Sequence, residues 1–185
     1  MIPYTIDRRA DTAVSNTTLA FWLFLASEVM LFGALFSAYA LLRASAPAWP
    51  SGPATLNLPL GITNTIVLFA MTSIAWRARS GSAGRAVSML GLSSIFGLAF
   101  LGIKAFEYSG EIRAGVVPAT NTFLAIYFTL TGLHAIHVAG GLVANAWVMA
   151  GRAGSAMLLN RVRLISIYWI FVDVIWVIIF VVLYV

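Results

Sequence analysis

The sequence LISIYWIFVDVIWVIIFVVLYV, residues 164–185, has one charged residue, Asp173, among its 22 positions. A helix needs about 20 mostly apolar residues to cross the hydrocarbon core of a bilayer. A helix on the surface of a soluble protein would instead carry polar side chains along one face. This stretch therefore predicts a membrane-spanning helix, and it decides the fold class of the chain.

Four other stretches pass the same test. The predicted spans are 19–42, 58–76, 86–103, 122–150 and 164–185. None of them alternates polar and apolar residues as the strands of a membrane barrel do. We therefore expect an all-α polytopic membrane protein, a five-transmembrane-helix bundle that forms one membrane domain over residues 1–185.

The composition of the whole chain excludes other classes. Of its 185 residues 61% are hydrophobic and 9% are charged, whereas a soluble domain has about 45–50% apolar and about 25% charged residues. The net charge is +5, but the basic residues are too dispersed for the basic face that binds nucleic acid. The chain has no cysteine, so it has no disulfide and no thiolate ligand. The polar N-terminus does not resemble a cleaved signal peptide.

The basic residues indicate an orientation, because cytoplasmic loops are enriched in Lys and Arg. One side of the predicted bundle carries eight of them: Arg8, Arg9, Arg77, Arg79, Arg85, Arg152, Arg161 and Arg163. The other side carries three: Arg43, Lys104 and Arg113. We therefore expect the N-terminus in the cytoplasm and the C-terminus outside.

Four ionisable side chains lie near the middle of predicted spans: Glu28, His134, His137 and Asp173. A charge at that depth costs at least about 2.5 kcal/mol, so such groups face the bundle interior and seek partners. His134 and His137 are spaced i, i+3, which places them on the same side of their helix. We expect an intramembrane polar network in which the Glu28 carboxyl meets one of the imidazoles.

Three interpretations of this network stay open: a structural hydrogen-bond network, a part in proton handling, and a metal site. Two histidines on one helix cannot form a bis-histidine haem site between helices. Lys104 and Glu107, also at i, i+3, are expected to form an ion pair at the outer membrane interface, where an exposed pair contributes little. The chain has no phosphate-binding loop, nucleophile motif or redox-cofactor motif, so we expect it to hold no catalytic centre.

Several motifs, in order along the chain, resemble those of the cytochrome c oxidase subunit III family. They are FWLFLASEVMLFGALFSAYALL (21–42), KAFEY (104–108), TNTFLAIYFTLTGLHAIHVAGGL (120–142) and YWIFVDVIWVIIFVVLY (168–184). Longer members of that family have seven helices, and this chain resembles the short five-helix form. The last motif departs from the family pattern at Ile170, where a histidine is expected.

The resemblance implies an accessory subunit of a proton-translocating haem-copper oxidase in the bacterial inner membrane. Haem and copper would then lie in partner subunits I and II, and electrons would reach them from cytochrome c or a donor complex. Bound phospholipid is expected in this chain. The homologous subunit of a quinol oxidase or a nitric oxide reductase is the alternative. A stand-alone proton or solute transporter is a third hypothesis, but the similar halves or broken helices typical of transporters are not visible.

Overall fold

A computed structural model describes residues 15–50, 52–151 and 155–185, and these residues form six helices and no strand. The helices are α1 (Asn16–Ser45), α2 (Gly52–Thr55), α3 (Leu58–Arg77), α4 (Ala83–Arg113), α5 (Thr122–Ala150) and α6 (Ser155–Tyr184). All except α2 are long and apolar enough to cross a membrane. The prediction of an all-α membrane protein with five spans is confirmed. Arg8, Arg9 and Arg152, which entered the charge count, lie outside the described residues.

Two helices extend well beyond their predicted spans. Helix α4 continues to Arg113, ten residues past its predicted end at 103, and α6 begins at Ser155, nine residues before 164. The predicted spans stopped where charged residues begin. In the structure those residues are helical. In α4, Lys104 and Glu107 turn inward, and Lys104 donates to Tyr127 of α5 and Tyr184 of α6. The segments between the predicted spans, 104–121 and 151–163, are therefore partly helical, and the actual connections between α4, α5 and α6 are shorter than the hydropathy indicated.

Polar side chains cap four of the helices. The side chains of Ser15, Asn57, Ser82 and Asn121 each accept a hydrogen bond from a backbone N–H in the first turn that follows. Such caps satisfy N–H groups that have no partner within the helix.

The C-terminus of α4 ends in a Schellman motif. Val116 N donates to Glu111 O and Gly115 N donates to Ile112 O. Gly115 has φ +77°, a left-handed conformation that glycine adopts without steric cost.

Helices α3, α4, α5 and α6 pack against one another, and α1 lies outside them against α5 and α6. The core between them is rich in large aromatic side chains, including Trp169 and Trp176 of α6. Gly141 of α5 allows this packing, because a Cβ there would lie 2.5 Å from the Trp169 ring. In α1 only 11% of the most apolar 18-residue window is buried, against 50% in α6. Helix α1 is thus peripheral in the isolated chain.

Hydrogen bonds between helices fix their register. Trp169 Nε1 donates to Asn145 Oδ1 at 3.2 Å, and Asn145 Nδ2 donates to Ser94 Oγ at 3.0 Å. Trp176 Nε1 donates to Thr65 Oγ1 at 2.9 Å. Polar side chains of this kind join helices within a membrane, where no water competes for them.

Candidate functional site

Glu28 of α1 and His137 of α5 form a direct contact, which we call the Glu28–His137 pair. Glu28 Oε2 lies 2.6 Å from His137 Nε2, and the two side chains are 14% and 12% exposed. Phe32, one helical turn after Glu28, packs on the same imidazole with ring centroids 5.1 Å apart. The pair therefore joins the peripheral helix to the core of the bundle.

The tautomer of His137 follows from its second contact. His137 Nδ1 lies 2.8 Å from Leu133 O, and a carbonyl oxygen only accepts, so Nδ1 carries a hydrogen. The short contact at Nε2 then needs one proton between nitrogen and carboxylate. That proton belongs either to the carboxyl group, which then donates to a neutral imidazole, or to an imidazolium, which then donates to a carboxylate.

The structure does not bring His134 into this pair. The His134 side chain is completely buried, and it packs between Phe100 of α4 and Trp176 of α6 at ring-centroid distances of 5.6 and 5.1 Å. Neither of its ring nitrogens has a hydrogen-bond partner among the described residues. Residues spaced i, i+3 are about 60° apart around a helix. That angle is enough to point His137 toward α1 and His134 into the core.

Asp173 also lies apart from the pair. It is 5% exposed on α6 and faces Thr72 of α3. A cavity of about 350 Å³ borders both residues, and its other walls are apolar. The expected network of four residues is therefore one bonded pair and two separately buried groups.

A second polar cluster lies near one end of the bundle, where α4, α5 and α6 meet. Lys104 Nζ donates to Glu107 Oε2 at 2.9 Å, to Tyr127 OH at 2.9 Å and to Tyr184 OH at 2.8 Å. All three hydrogens of the ammonium group are thus used. We call Lys104, Glu107, Glu111, Tyr127 and Tyr184 the lysine cluster.

The two tyrosines of the lysine cluster pass the hydrogen bonds on to carboxylates. Tyr184 OH donates to Glu107 Oε1 at 2.9 Å, and Tyr127 OH donates to Glu111 Oε1 at 2.9 Å. Each phenol therefore accepts from the lysine and donates to an acid. Glu111 Oε2 is left without a partner among the described residues.

The expectation of an exposed Lys104–Glu107 pair is wrong. The contact exists, but both side chains are 2% exposed. The helix continues beyond the predicted span and turns this face toward α5 and α6, so the pair is enclosed by protein. A buried pair differs from an exposed one in its energetics, because removing one partner leaves an uncompensated charge.

Sequence reasoning did not identify Tyr127 and Tyr184 as members of a cluster. Both lie near predicted span ends, where tyrosine is common at the membrane surface, yet both side chains are fully buried. The one signal in the sequence was the triad of Lys104, Glu107 and Glu111 on one helix face. It indicates a need for partners without saying which helix supplies them.

The positions of the histidine and acidic side chains show whether they could bind a metal ion. Among residues 15–50, 52–151 and 155–185, no group of three or more His, Asp or Glu side chains is placed to hold a metal ion. Both ring nitrogens of His137 are engaged by Leu133 and Glu28. The arrangement can hold a shared proton and join helices.

Comparison with known proteins decides the family. Residues 6–185 match the family described as Cytochrome c oxidase subunit III. This chain belongs to that family. The resemblance seen in the sequence motifs is thereby confirmed.

The curated relatives of this subunit III chain include two kinds of oxidase subunit. Cytochrome bo(3) ubiquinol oxidase subunit 3 of Pseudomonas aeruginosa is 32% identical over 183 residues, which is 95% of this chain and 87% of the relative. Cytochrome c oxidase subunit 3 of Bacillus sp. (strain PS3) is 30% identical over 189 residues, 98% of this chain and 91% of the relative.

A third relative is a fusion. Heme-copper oxidase subunit I+III of Aeropyrum pernix is 32% identical over 176 residues, which cover 87% of this chain but 22% of that protein. The matched portion of the fusion is therefore a subunit III segment in a much longer chain.

Two features of this subunit III chain border the sites described above. A cavity of about 370 Å³ lies beside His137, walled by Phe21, Phe24, Gly140, Tyr168 and other apolar residues. Ile170, which stands where the family resemblance leads us to expect histidine, borders the cavity of Asp173 and is 37% exposed. The position is thus apolar on the outer surface of α6.

Proposed function

We propose that this chain is the accessory third subunit of a haem-copper terminal oxidase, which supports oxygen reduction and proton pumping by its partner subunits. The observation that carries the proposal is the family match over residues 6–185. The fused relative from Aeropyrum pernix supports the identity of the partner, because that protein is a heme-copper oxidase subunit I+III, with both subunits in one polypeptide. Subunit I, and with it subunit II, would be the main contacts of this chain.

Haem and copper belong to the partner subunits in this proposal. A haem iron or copper site needs imidazoles that are free to coordinate. Here one imidazole is bonded at both nitrogens, and the other is enclosed by Phe100 and Trp176. We therefore assign the Glu28–His137 pair a structural role, with the shared proton as a local proton reserve, and no step of oxygen chemistry.

The peripheral helix provides a surface for the rest of the complex. Large apolar side chains of α1 are exposed in the isolated chain, among them Leu23 at 64% and Met30 at 76%. An exposed apolar face of a membrane helix contacts either lipid or another helix. We propose that part of this face packs against the catalytic subunit.

We propose a phospholipid acyl chain as the occupant of the cavity beside His137. Its walls are almost wholly apolar, and its rim lies next to the Glu28–His137 pair and Tyr168. A lipid there would fill the space between α1, α5 and α6 and stabilise the attachment of α1.

The bacterial inner membrane is the proposed location, with the N-terminus in the cytoplasm. The eight-to-three distribution of basic residues supports this orientation. Because the natural chain has no cysteine, single-cysteine labelling is clean. In intact cells an impermeant thiol reagent should leave Ser82→Cys unlabelled and should label the matched variant Thr120→Cys on the opposite side. The reverse result would invert the topology.

Purification in a mild detergent tests the proposed function. We expect the tagged chain to bring with it a haem-bearing subunit I, and we expect the complex to show a haem spectrum and reduce oxygen. A haem-free, monodisperse chain that transports solute in liposomes would instead support a stand-alone transporter and refute the oxidase assignment.

The electron donor has two candidates, because the relatives include a ubiquinol oxidase subunit and a cytochrome c oxidase subunit at similar identity. Steady-state oxygen uptake with reduced cytochrome c and with ubiquinol as donors separates them. Nitric oxide consumption by the same complex tests the third related assignment.

A further inference from the structure

An arginine-lined cavity lies where the end of α3 meets the beginning of α6. It has a volume of about 720 Å³ and is lined by Trp76, Arg77, Arg79, Ser80, Leu159, Asn160 and Arg163. We call it the arginine cavity. It lies at the opposite end of α3 from Asn57, which caps the first turn of that helix.

The charge around the arginine cavity is not balanced by described residues. The sequence has six acidic residues, and Asp7 and Asp11 lie outside the described ranges. Of the other four, Glu28 and Asp173 lie mid-helix, and Glu107 and Glu111 lie at the far end of α4. None of these four lines the cavity, whereas three arginines do.

Arg79, one of the residues that line the cavity, has an unsatisfied donor. Its guanidinium stacks on the Trp76 ring at 3.7 Å from the ring centroid, and its Nη1 is buried without a hydrogen-bond partner among the described residues. A buried donor without an acceptor is costly, so an acceptor is expected beside it. Stacking also holds the planar donor fork in one orientation, which suits the oxygens of a phosphate group.

The position of the cavity favours a phosphate that belongs to a lipid. Trp76, on its rim, is 46% exposed, and tryptophan is enriched at the level of the lipid headgroups. The residues beside it in α3 belong to a membrane-spanning helix. Basic pockets between membrane helices bind anionic headgroups in this way.

We propose that the arginine cavity binds the phosphate of an anionic glycerophospholipid, with Arg77, Arg79 and Arg163 as its ligands. This site is distinct from the apolar cavity beside His137, and it does not depend on the oxidase assignment. Bound there, the lipid would offset part of the positive charge of the three arginines with the single negative charge of its phosphodiester, and it would connect α3 with α6.

Native mass spectrometry of the purified full-length chain, or of the complex that contains it, tests the proposal. After delipidation, the protein is titrated with phosphatidylglycerol and with phosphatidylcholine. We expect a bound phosphatidylglycerol that survives detergent removal and at least a tenfold preference over phosphatidylcholine. Equal retention of the two lipids overturns the proposal without any variant, so misfolding of a variant cannot obscure the result.

Charge-matched variants locate the site. Arg79→Gln should weaken phosphatidylglycerol binding by about tenfold or more, the loss expected when a hydrogen bond to a charged group is removed. Arg85→Gln removes the same charge at the start of α4 but does not line the cavity, and it should leave binding unchanged. Equal losses in the two variants would mean general surface attraction and would refute the site.

Two further arms distinguish other sources of negative charge. Inorganic phosphate at millimolar concentration should not displace the lipid, and displacement would make a soluble phosphate the ligand. The double variant Asp7→Asn/Asp11→Asn should bind phosphatidylglycerol like the unmodified chain. Binding that appears only in this double variant would show that the N-terminal carboxylates occupy the cavity and would overturn the proposal.

Discussion

The lysine cluster and the Glu28–His137 pair are both buried acid–base contacts, but they are built differently. In the lysine cluster the Lys104 and Glu107 side chains are 2% exposed, and the ammonium group makes three hydrogen bonds to side chains from three helices. In the pair the side chains are 12–14% exposed, and one short contact joins α1 to α5. The first is enclosed by the bundle, whereas the second holds a helix on its outside.

The lysine cluster therefore bears on the stability of the whole fold, whereas the Glu28–His137 pair bears on the attachment of helix α1. Breaking the Lys104–Glu107 contact of the lysine cluster leaves an uncompensated charge on a side chain that is 2% exposed. Breaking the pair leaves a polar group at a margin where lipid, a partner subunit or a rearranged α1 can adapt. We therefore expect substitutions in the lysine cluster to destabilise the whole chain, and substitutions in the pair to act on α1 and on retention in the complex.

The largest effect is expected for Lys104→Met. Methionine has a similar length but no charge, so Glu107 and Glu111 lose their only cation in the cluster. Removing one partner of a buried ion pair costs about 3–5 kcal/mol. The purified complex is heated, and dissociation of this chain from it is measured. The variant should dissociate at a much lower temperature than the unmodified chain. Arg113→Gln, at the exposed end of the same helix, is the matched control and should have little effect.

A double variant tests whether the loss comes from the unpaired charge. Lys104→Met/Glu107→Gln removes both charges of the pair, so it should be less destabilised than the sum of the single variants. Additive losses would show that the two residues contribute independently and would contradict the description of the cluster as a coupled unit.

The next effect concerns the tyrosines. Tyr184→Phe removes a hydroxyl that accepts from Lys104 and donates to Glu107, and hydrogen bonds to charged groups contribute about 1.5–3 kcal/mol. Tyr108→Phe removes a hydroxyl bonded to the neutral Thr131 at 2.6 Å, for which about 1 kcal/mol is expected. Unfolding measurements on the two variants should show this order. A larger loss of unfolding free energy in Tyr108→Phe than in Tyr184→Phe would contradict the claim that the hydrogen bonds of the lysine cluster are the stronger ones.

The sequence predicts the lysine cluster less well than the Glu28–His137 pair. Hydropathy locates the five spans because burial in lipid demands apolar residues, and the fourth span, 122–150, coincides with α5. It fails beyond 103, because Lys104 lowers the hydropathy although its charge is neutralised within the protein. A single sequence does not show which helix supplies Tyr127 or Tyr184 to that lysine.

The Glu28–His137 pair was predicted in part. The depth of Glu28 and the histidines indicated a contact between α1 and α5, and the structure has that contact. The assignment of both histidines and Asp173 to the same network went too far. Depth in the membrane is readable from the sequence, but the rotation of each helix depends on packing, such as the fit of Trp169 against Gly141.

A smaller and more local effect is expected for Glu28→Ala. His137 Nε2 would lose its partner, at a cost of about 1–3 kcal/mol, and α1 would lose its polar contact with α5. We expect weaker retention of the chain in the complex and a shorter active lifetime, with an unchanged haem spectrum. Ser27→Ala is the control, because among the described residues the Ser27 hydroxyl bonds only to Phe24 O of its own helix. An equal loss of retention in both variants would show that α1 tolerates no substitution there, and it would contradict the role assigned to the Glu28–His137 pair.

The smallest effect is expected for Glu28→Gln, which separates the hydrogen bond of the pair from its shared proton. Because His137 Nδ1 donates to Leu133 O, a neutral His137 presents Nε2 as an acceptor, and the glutamine amide can donate to it. The contact between α1 and α5 then persists without a transferable proton. We expect retention in the complex close to that of the unmodified chain and above that of Glu28→Ala.

Oxygen uptake by the Glu28→Gln complex decides what the shared proton does. If the pair is structural, with a local proton reserve, the initial rate of oxygen reduction stays unchanged, and only prolonged turnover reveals a difference. An apolar carbodiimide, which reacts with a protonated carboxyl, distinguishes the two forms of the pair: labelling of Glu28 that is lost in the variant would place the proton on the carboxyl, and no labelling would place it on His137. Immediate loss of oxygen reduction in a fully assembled complex with intact haem would place this carboxyl in the catalytic proton path, because the amide preserves the contact and removes only the proton exchange.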